Sequence, residues 1–152
     1  MKPHEKHERF ERGLAHFNAR RFFEAHEVWE EIWLVESEPE KTFLQGIIQI
    51  AAAFHHYRRG NSDGAENLLA AGIVKISRFP DDYHGLAVEQ LCLAAKWWAR
   101  KLGEREKLND HEIPVILRSS QYRLAGGKDC RIEQESSQEK KVSAREYRGS
   151  TE

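Results

Sequence analysis

Sixteen consecutive residues, from Thr42 to Tyr57, contain no Asp, Glu, Lys or Arg, in a chain where 32% of residues are charged. The stretch is too short to span a membrane as a helix and too long for one strand. Phe43, Ile47, Ile50 and Phe54 recur at helical spacing, and Gln45, Gln49, Ala52 and His56 fall within about 60° of each other on the opposite side. A surface helix would carry charge on that side. The pattern therefore predicts a central helix, covered nearly all round, with a polar line that needs hydrogen-bond partners.

The neighbouring segments read as the helices that cover it. One covers about His4 to Phe17, with Phe10, Leu14 and Phe17 on a stripe, and a second runs from about Phe22 to Leu34. The central helix spans about Glu40 to Arg59 and stops at Gly60-Asn61, a C-terminal signal. A fourth starts near Ser62-Asp63 and ends before Pro80, burying Ala65, Leu68, Leu69, Gly72, Ile73 and Ile76. Asp81-Asp82 are read as the cap of a fifth, through Lys101-Leu102, with Val88, Leu91, Ala95, Trp98 and Leu102 inward. No stretch alternates like a strand and no period marks a solenoid. The expectation is an all-α single-domain array or bundle of about five helices over residues 4–116. Apolar residues thin out beyond position 117, so 117–152 is expected to be a disordered charged tail.

Lys and Arg number 24 against 25 Asp and Glu, a balance that gives no general attraction to nucleic acid or membrane. No apolar run suits a signal peptide or a spanning helix, and two cysteines, Cys92 and Cys130, are too few for a disulfide framework. A cytoplasmic protein is expected. Cys92 lies in an apolar run and reads as a buried, inert thiol. Trp97 and Trp98 are 100° apart, so one of them is expected outside, where it would suit a homodimer or a protein partner.

Chemistry concentrates on the second helix. His26 sits in the middle of an apolar face with Phe22, Trp29 and Trp33, Glu30 follows one turn later, and Glu27 lies further round; Glu24 and Glu31 point away and read as solvated. His26 and Glu30 at i, i+4, with His56 and Glu27, would be candidate ligands of a divalent metal. However, His26-Glu27-Val28-Trp29-Glu30 lacks the second His of a zinc motif, and neither His26 nor His56 has a Glu three residues earlier. Without metal, His26, Glu30 and Glu27 would be an acid–base pair or triad, with Gln45, Gln49 and His56 orienting a small molecule and Glu24 also a ligand-binding candidate. The third reading is a buried Glu/His/Gln hydrogen-bond network that fixes helix packing in an interaction or scaffold domain. That reading is preferred, and the enzyme or ligand site is the alternative.

Phe17-Asn18, the run Phe22 through Trp33, the run Phe43 through His56, Arg59-Gly60-Asn61, Gly64-Ala65 and Gly72 together resemble the family named domain of unknown function 309, over roughly residues 7 to 80. The resemblance implies a small all-helical bundle and assigns no activity. The positions that match the family's polar signature are Glu24, His26, Glu27, Glu30, Gln45, Gln49 and His56.

Overall fold

The computed structural model describes residues 1–124, with side chains through Tyr122. Five long helices follow each other: α1 (Pro3–Asn18), α2 (Phe22–Val35), α3 (Glu40–Arg58), α4 (Ser62–Ile76) and α5 (Val88–Gly103). A sixth, α6 (Ser119–Leu124), is short, and single 3-10 turns occupy Tyr83–Gly85 and Asp110–Glu112. Among the described residues there is no strand, only an isolated bridge between Leu86 and Arg118.

Local chemistry sets the ends. Pro3 occupies the first turn of α1, where a missing N–H costs nothing. Asn61 Oδ1 accepts the Gly64 N–H at 2.9 Å and so caps α4, while Gly60 takes the left-handed conformation (φ 85°) that ends the preceding turn. Asp81 and Asp82 do not sit directly before α5, as expected from the sequence. The chain first makes the turn at Tyr83–Gly85, and Asp81 Oδ1 reaches over it to accept the Glu89 N–H at 3.2 Å. One of the two aspartates is therefore a cap, delivered from eight residues away.

The expected stripes are the buried ones. Phe10, Leu14 and Phe17 of α1 face inward, as do Ala65, Leu69, Gly72, Ile73 and Ile76 of α4 and Val88, Leu91, Ala95, Trp98 and Leu102 of α5; Leu68 is only partly covered. On α3, nine residues are buried, from Phe43 to Phe54, so this helix is the axis of the array. Rings form a chain through the core: Phe17 to Phe22 at 5.0 Å, Phe22 to Phe54 at 5.6 Å and Phe54 to Trp98 at 5.3 Å. The indoles of Trp29 and Trp98 find acceptors, Trp29 Nε1 donating to Phe10 O and Trp98 Nε1 to Glu112 O, whereas the buried Trp33 Nε1 has no acceptor among the described residues. Trp97 is partly buried and carries Lys101 Nζ 5.7 Å from its ring centroid, so it is less open than the exposed docking residue expected. Cys92 is fully buried; Cys130 lies outside the described residues.

The ordered chain continues beyond residue 116. After α5 it returns across the α1–α2 turn, where Asn18 binds both the N–H and the carbonyl of Ile116 (2.7 and 3.0 Å) and Arg20 donates to the carbonyls of Ile113 and Pro114. Tyr57 OH donates to Leu108 O and accepts from Leu108 N, both at 2.8 Å. Further on, Ala87 N donates to Leu117 O at 2.8 Å, and Ser119 is buried. Composition marks where the apolar supply ends, but backbone hydrogen bonds and two buried isoleucines, Ile113 and Ile116, hold the strap on either side of Pro114. Of the tail expected from 117, residues 125–152 lie outside the described residues.

Helices α3 and α4 pack closely, backbone against backbone, at Gly46 and Gly72. A Cβ on Gly72 would come within 2.8 Å of both Gly46 O and Ile50 Cγ1. Backbone cannot yield as a side-chain tip does, so Gly72→Ala is expected to destabilise the fold. Overpacking of about 1–3 kcal/mol outweighs the roughly 1 kcal/mol gain in helix propensity. Urea unfolding checks this: the midpoint should fall in the variant, and an unchanged or raised midpoint would contradict the packing.

Candidate functional site

α2 lies between α1 and α3, and its neighbours decide which side chains remain outside. Arg9 Nε of α1 binds Glu31 at 3.0 Å on one flank, and Lys41 Nζ of α3 lies 4.3 Å from the Trp33 ring centroid on the other. Between these flanks Phe23, Glu27, Glu30 and Leu34 share one face, because eleven residues bring the helix back to within about 20°. All four are exposed, Phe23 by 46% and Leu34 by 69%. Val35 is also exposed at the end of the helix, whereas the inward residues Phe22, Ala25, Trp29 and Ile32 are buried.

His26 borders this face. Its Nε2 lies 3.5 Å from Glu30 Oε1, with side-chain exposures of 26% and 50%, so the pair is a partly solvated ion-pair contact rather than a buried one. The Phe23 ring leans on both His26 (5.9 Å) and His55 (5.3 Å). Burial pushes the His55 pKa down, and the charges of Arg59, His56 and His26 push the same way, with Glu24 opposing. His55 is therefore the histidine that joins α2, although the sequence reading chose His56. The His56 ring instead lies beside Asn61, Nδ1 to Nδ2 at 3.4 Å, at the turn into α4.

The polar line of α3 does not meet His26 and Glu30. Lys41 against Trp33 and His55 against Phe23 mark the α2-facing row, and Gly46 and Ile50 mark the α4-facing one. Gln45, Gln49, Ala52 and His56 fall in the strip between these rows, each at intermediate burial. Gln49 Oε1 is buried and accepts no hydrogen bond from the described residues. Glu24 and Glu27 are exposed. Among the described residues, no three His, Cys, Asp or Glu side chains converge to hold a metal ion, so His26, Glu30 and His56 do not form one ligand set. Helical angles fix which residues share a face, but not how the neighbouring helix is rotated against that face.

A second cluster, which sequence reasoning missed, surrounds a cavity of about 210 Å³ at the other end of α2. Phe10, Ile32 and Leu44 contribute apolar wall; Lys6, His7, Glu36, Glu40 and His84 contribute polar groups. Lys6 Nζ binds Glu36 Oε1 at 2.5 Å, Tyr83 OH donates to Glu40 Oε2 at 2.9 Å, and His84 Nε2 lies 2.6 Å from Glu40 Oε1. His84 is held in left-handed backbone (φ 56°, ψ 22°) between Asp82 (φ 76°) and Gly85 (φ 69°). Non-glycine residues in that region cost on the order of 1 kcal/mol each, so the turn must be held from outside. Ser119 of α6 does so, donating to Asp82 Oδ1 and to Gly85 O. The one available sequence signal was His84 directly before a glycine in a Pro/Asp-rich turn; its contact with Glu40, 44 residues earlier, leaves no periodic trace.

Residues 3–68, which make up α1 to α3 and the first half of α4, match the family model of the Domain of unknown function (DUF309). An uncharacterised protein of Aquifex aeolicus is 26% identical over 106 residues, which is 69% of this chain and 31% of that protein. The uncharacterised protein YpuF of Bacillus subtilis is 44% identical over 63 residues, 40% of this chain and 36% of YpuF. The chain thus spans about a third of the length of these relatives. No solved structure matches.

Burial pushes the Tyr83 phenol up to about 12, helped by its hydrogen bond to Glu40 and by the Glu40 and Glu36 charges. Its unfolded value is 10.0, so the contribution to stability is complete below pH 10 and is lost as pH rises from 10 through about 12. An alkaline ultraviolet titration should show one of the four tyrosines ionising late, and Glu40→Gln should bring that step down toward 10. A late step that Glu40→Gln leaves in place would remove Glu40 as the partner.

Proposed function

We propose that residues 3–124 form an interaction module of the cytoplasm that docks a basic amphipathic helix on the outward face of α2. The observation that carries the proposal is the exposed stripe Phe23, Glu27, Glu30, Leu34. Its two apolar ends are about 16 Å apart along the axis, at a rise of about 1.5 Å per residue, with carboxylates between them. A partner helix with apolar anchors at the same spacing and Lys or Arg in between would cover Phe23 and Leu34 and satisfy Glu27 and Glu30. His26 and Glu24 would extend the polar rim. A second copy of the chain fits this face poorly, because glutamates would meet glutamates.

Two further observations support the reading. In the relatives the matched segment takes up about a third of the protein, as suits a module that works beside other segments. No helix among the described residues is long and apolar enough to cross a membrane. The catalytic alternative, with His26 and Glu30 as acid and base and Gln45, Gln49 and His56 orienting a substrate, has less support: His26 and Glu30 are partly open to water, and Gln45, Gln49 and His56 lie in the strip beside the α2-facing row of α3.

The test is fluorescence anisotropy with a labelled synthetic helix carrying leucines eleven positions apart and lysines between. Binding should weaken at least tenfold in the Phe23→Ser, Leu34→Ser double variant. Glu27→Gln with Glu30→Gln should weaken it and flatten its salt dependence. Both positions are exposed, so folding should be unaffected. Equal binding by wild type and both double variants would rule out this face.

A further inference from the structure

We propose that the cavity among α1, α2, α3 and the Tyr83–Gly85 turn binds a small organic amine: one ammonium group on an apolar, ring-sized body. The site stands apart from the outward face of α2 and does not depend on the docking proposal. Its size sets the first limit. A cavity of about 150 Å³ lined by apolar side chains accepts benzene, and drug-sized ligands need about 300 Å³ or more. At about 210 Å³ this one suits a ring with a short side arm.

Charge sets the second limit. Two carboxylates, Glu36 and Glu40, line the cavity with one ammonium, Lys6, and two imidazoles, His7 and His84, of which His84 already faces Glu40. The carboxylate side chains are only 17% and 20% exposed, so an incoming cation would meet them with much of their water already removed. Each carboxylate offers about four acceptor sites. Glu40 spends two, on Tyr83 and His84, and Glu36 spends one on Lys6, which leaves acceptors on both for a ligand N–H.

The walls set the third. Phe10, Ile32 and Leu44 give an apolar surface, and the His84 ring lies 4.9 Å from Phe10 at 30°, so the two rings form one aromatic side of the cavity. That wall would take the body of the ligand while the ammonium meets the carboxylates. Nothing needs to move to form it: the Glu40 carboxylate fixes both Tyr83 and His84, and Ser119 fixes the backbone beneath them. This pre-organisation lowers the cost of binding.

Three probes with one body separate the alternatives: 2-phenylethylamine, L-phenylalanine and 2-phenylethanol, each titrated calorimetrically into the full chain. The amine is expected to bind at one site per chain, at least tenfold tighter than either other probe. Glu36→Gln and, separately, Glu40→Gln should each weaken it at least tenfold, and Leu44→Trp should block it by filling the cavity. Glu104→Gln, at the far end of α5, should leave it unchanged. Because Glu40→Gln also removes the anchor of His84, the wild-type protein gives an independent reading. Amine-induced NMR shifts should saturate at Lys6, His7, Phe10 and His84, with no change at His26 or His55. The proposal is overturned if the amine does not saturate, if the alcohol binds as well, if the amino acid binds better, if both Gln variants bind normally, or if the shifts fall elsewhere.

Discussion

The structure depends on covering a helix that has no charge for sixteen residues. α3 cannot face water, so every other element is placed by how it shields that helix. α4 comes closest, backbone against backbone, because Gly46 and Gly72 remove the two side chains that would hold the axes apart. α2 shields the opposite flank and meets α3 through the ammonium of Lys41 over Trp33 and the ring of His55 on Phe23. The aromatic chain from Phe17 through Phe54 to Trp98 ties α1 and α5 to the same axis. The hydrophobic effect supplies this drive, and it has no direction. The glycines and rings determine which arrangement results.

That division of labour also leaves two surfaces free. A helix of fourteen residues wedged between two neighbours buries Phe22, Ala25, Trp29 and Ile32 and turns the remaining face out. On α2 that face carries two large apolar groups among carboxylates, an arrangement that costs solubility and contributes nothing to the core. At the far end of α2, the start of α3 and the Tyr83–Gly85 turn do not close completely, and titratable groups line the gap. The strained backbone at Asp82 and His84 belongs to the same corner, held in place by α6. Strain of this kind concentrates where a side chain must be presented at a fixed angle.

Helix identity, helix order and the buried stripes were legible from periodicity alone, because a stripe such as Phe10, Leu14, Phe17 has only one way to face a core. Boundaries came within a residue or two except at the end of α4, which stops at Ile76 well before Pro80, and at the start of α5, where Asp81 caps across a loop instead of next to the helix. The candidate site was legible only in part. His26 and Glu30 do pair, as their i, i+4 spacing requires. Their expected partners on α3 lie in the strip beside the α2-facing row, since the relative rotation of two packed helices depends on Gly46, Trp33 and Phe23 together and is not written in either helix. Glu40, Tyr83 and His84 meet across more than forty residues and left no pattern to read. The stretch beyond residue 116 was missed for a related reason: it is held by the Ala87 N–H on the Leu117 carbonyl and by Ser119 on Asp82 and Gly85, partners distant in the chain.

The central claim is that α3 is the axis on which the other elements depend. Native-state hydrogen exchange addresses it directly. The amides of Ile47 to Phe54 should be the most protected in the chain and should exchange only with global unfolding, while those near Phe23 and in the Tyr83–Gly85 turn open at lower free energy. If the α3 amides exchanged through a smaller opening while α4 or α5 remained protected, the core would be organised around another helix, and the account of both surfaces would lose its foundation.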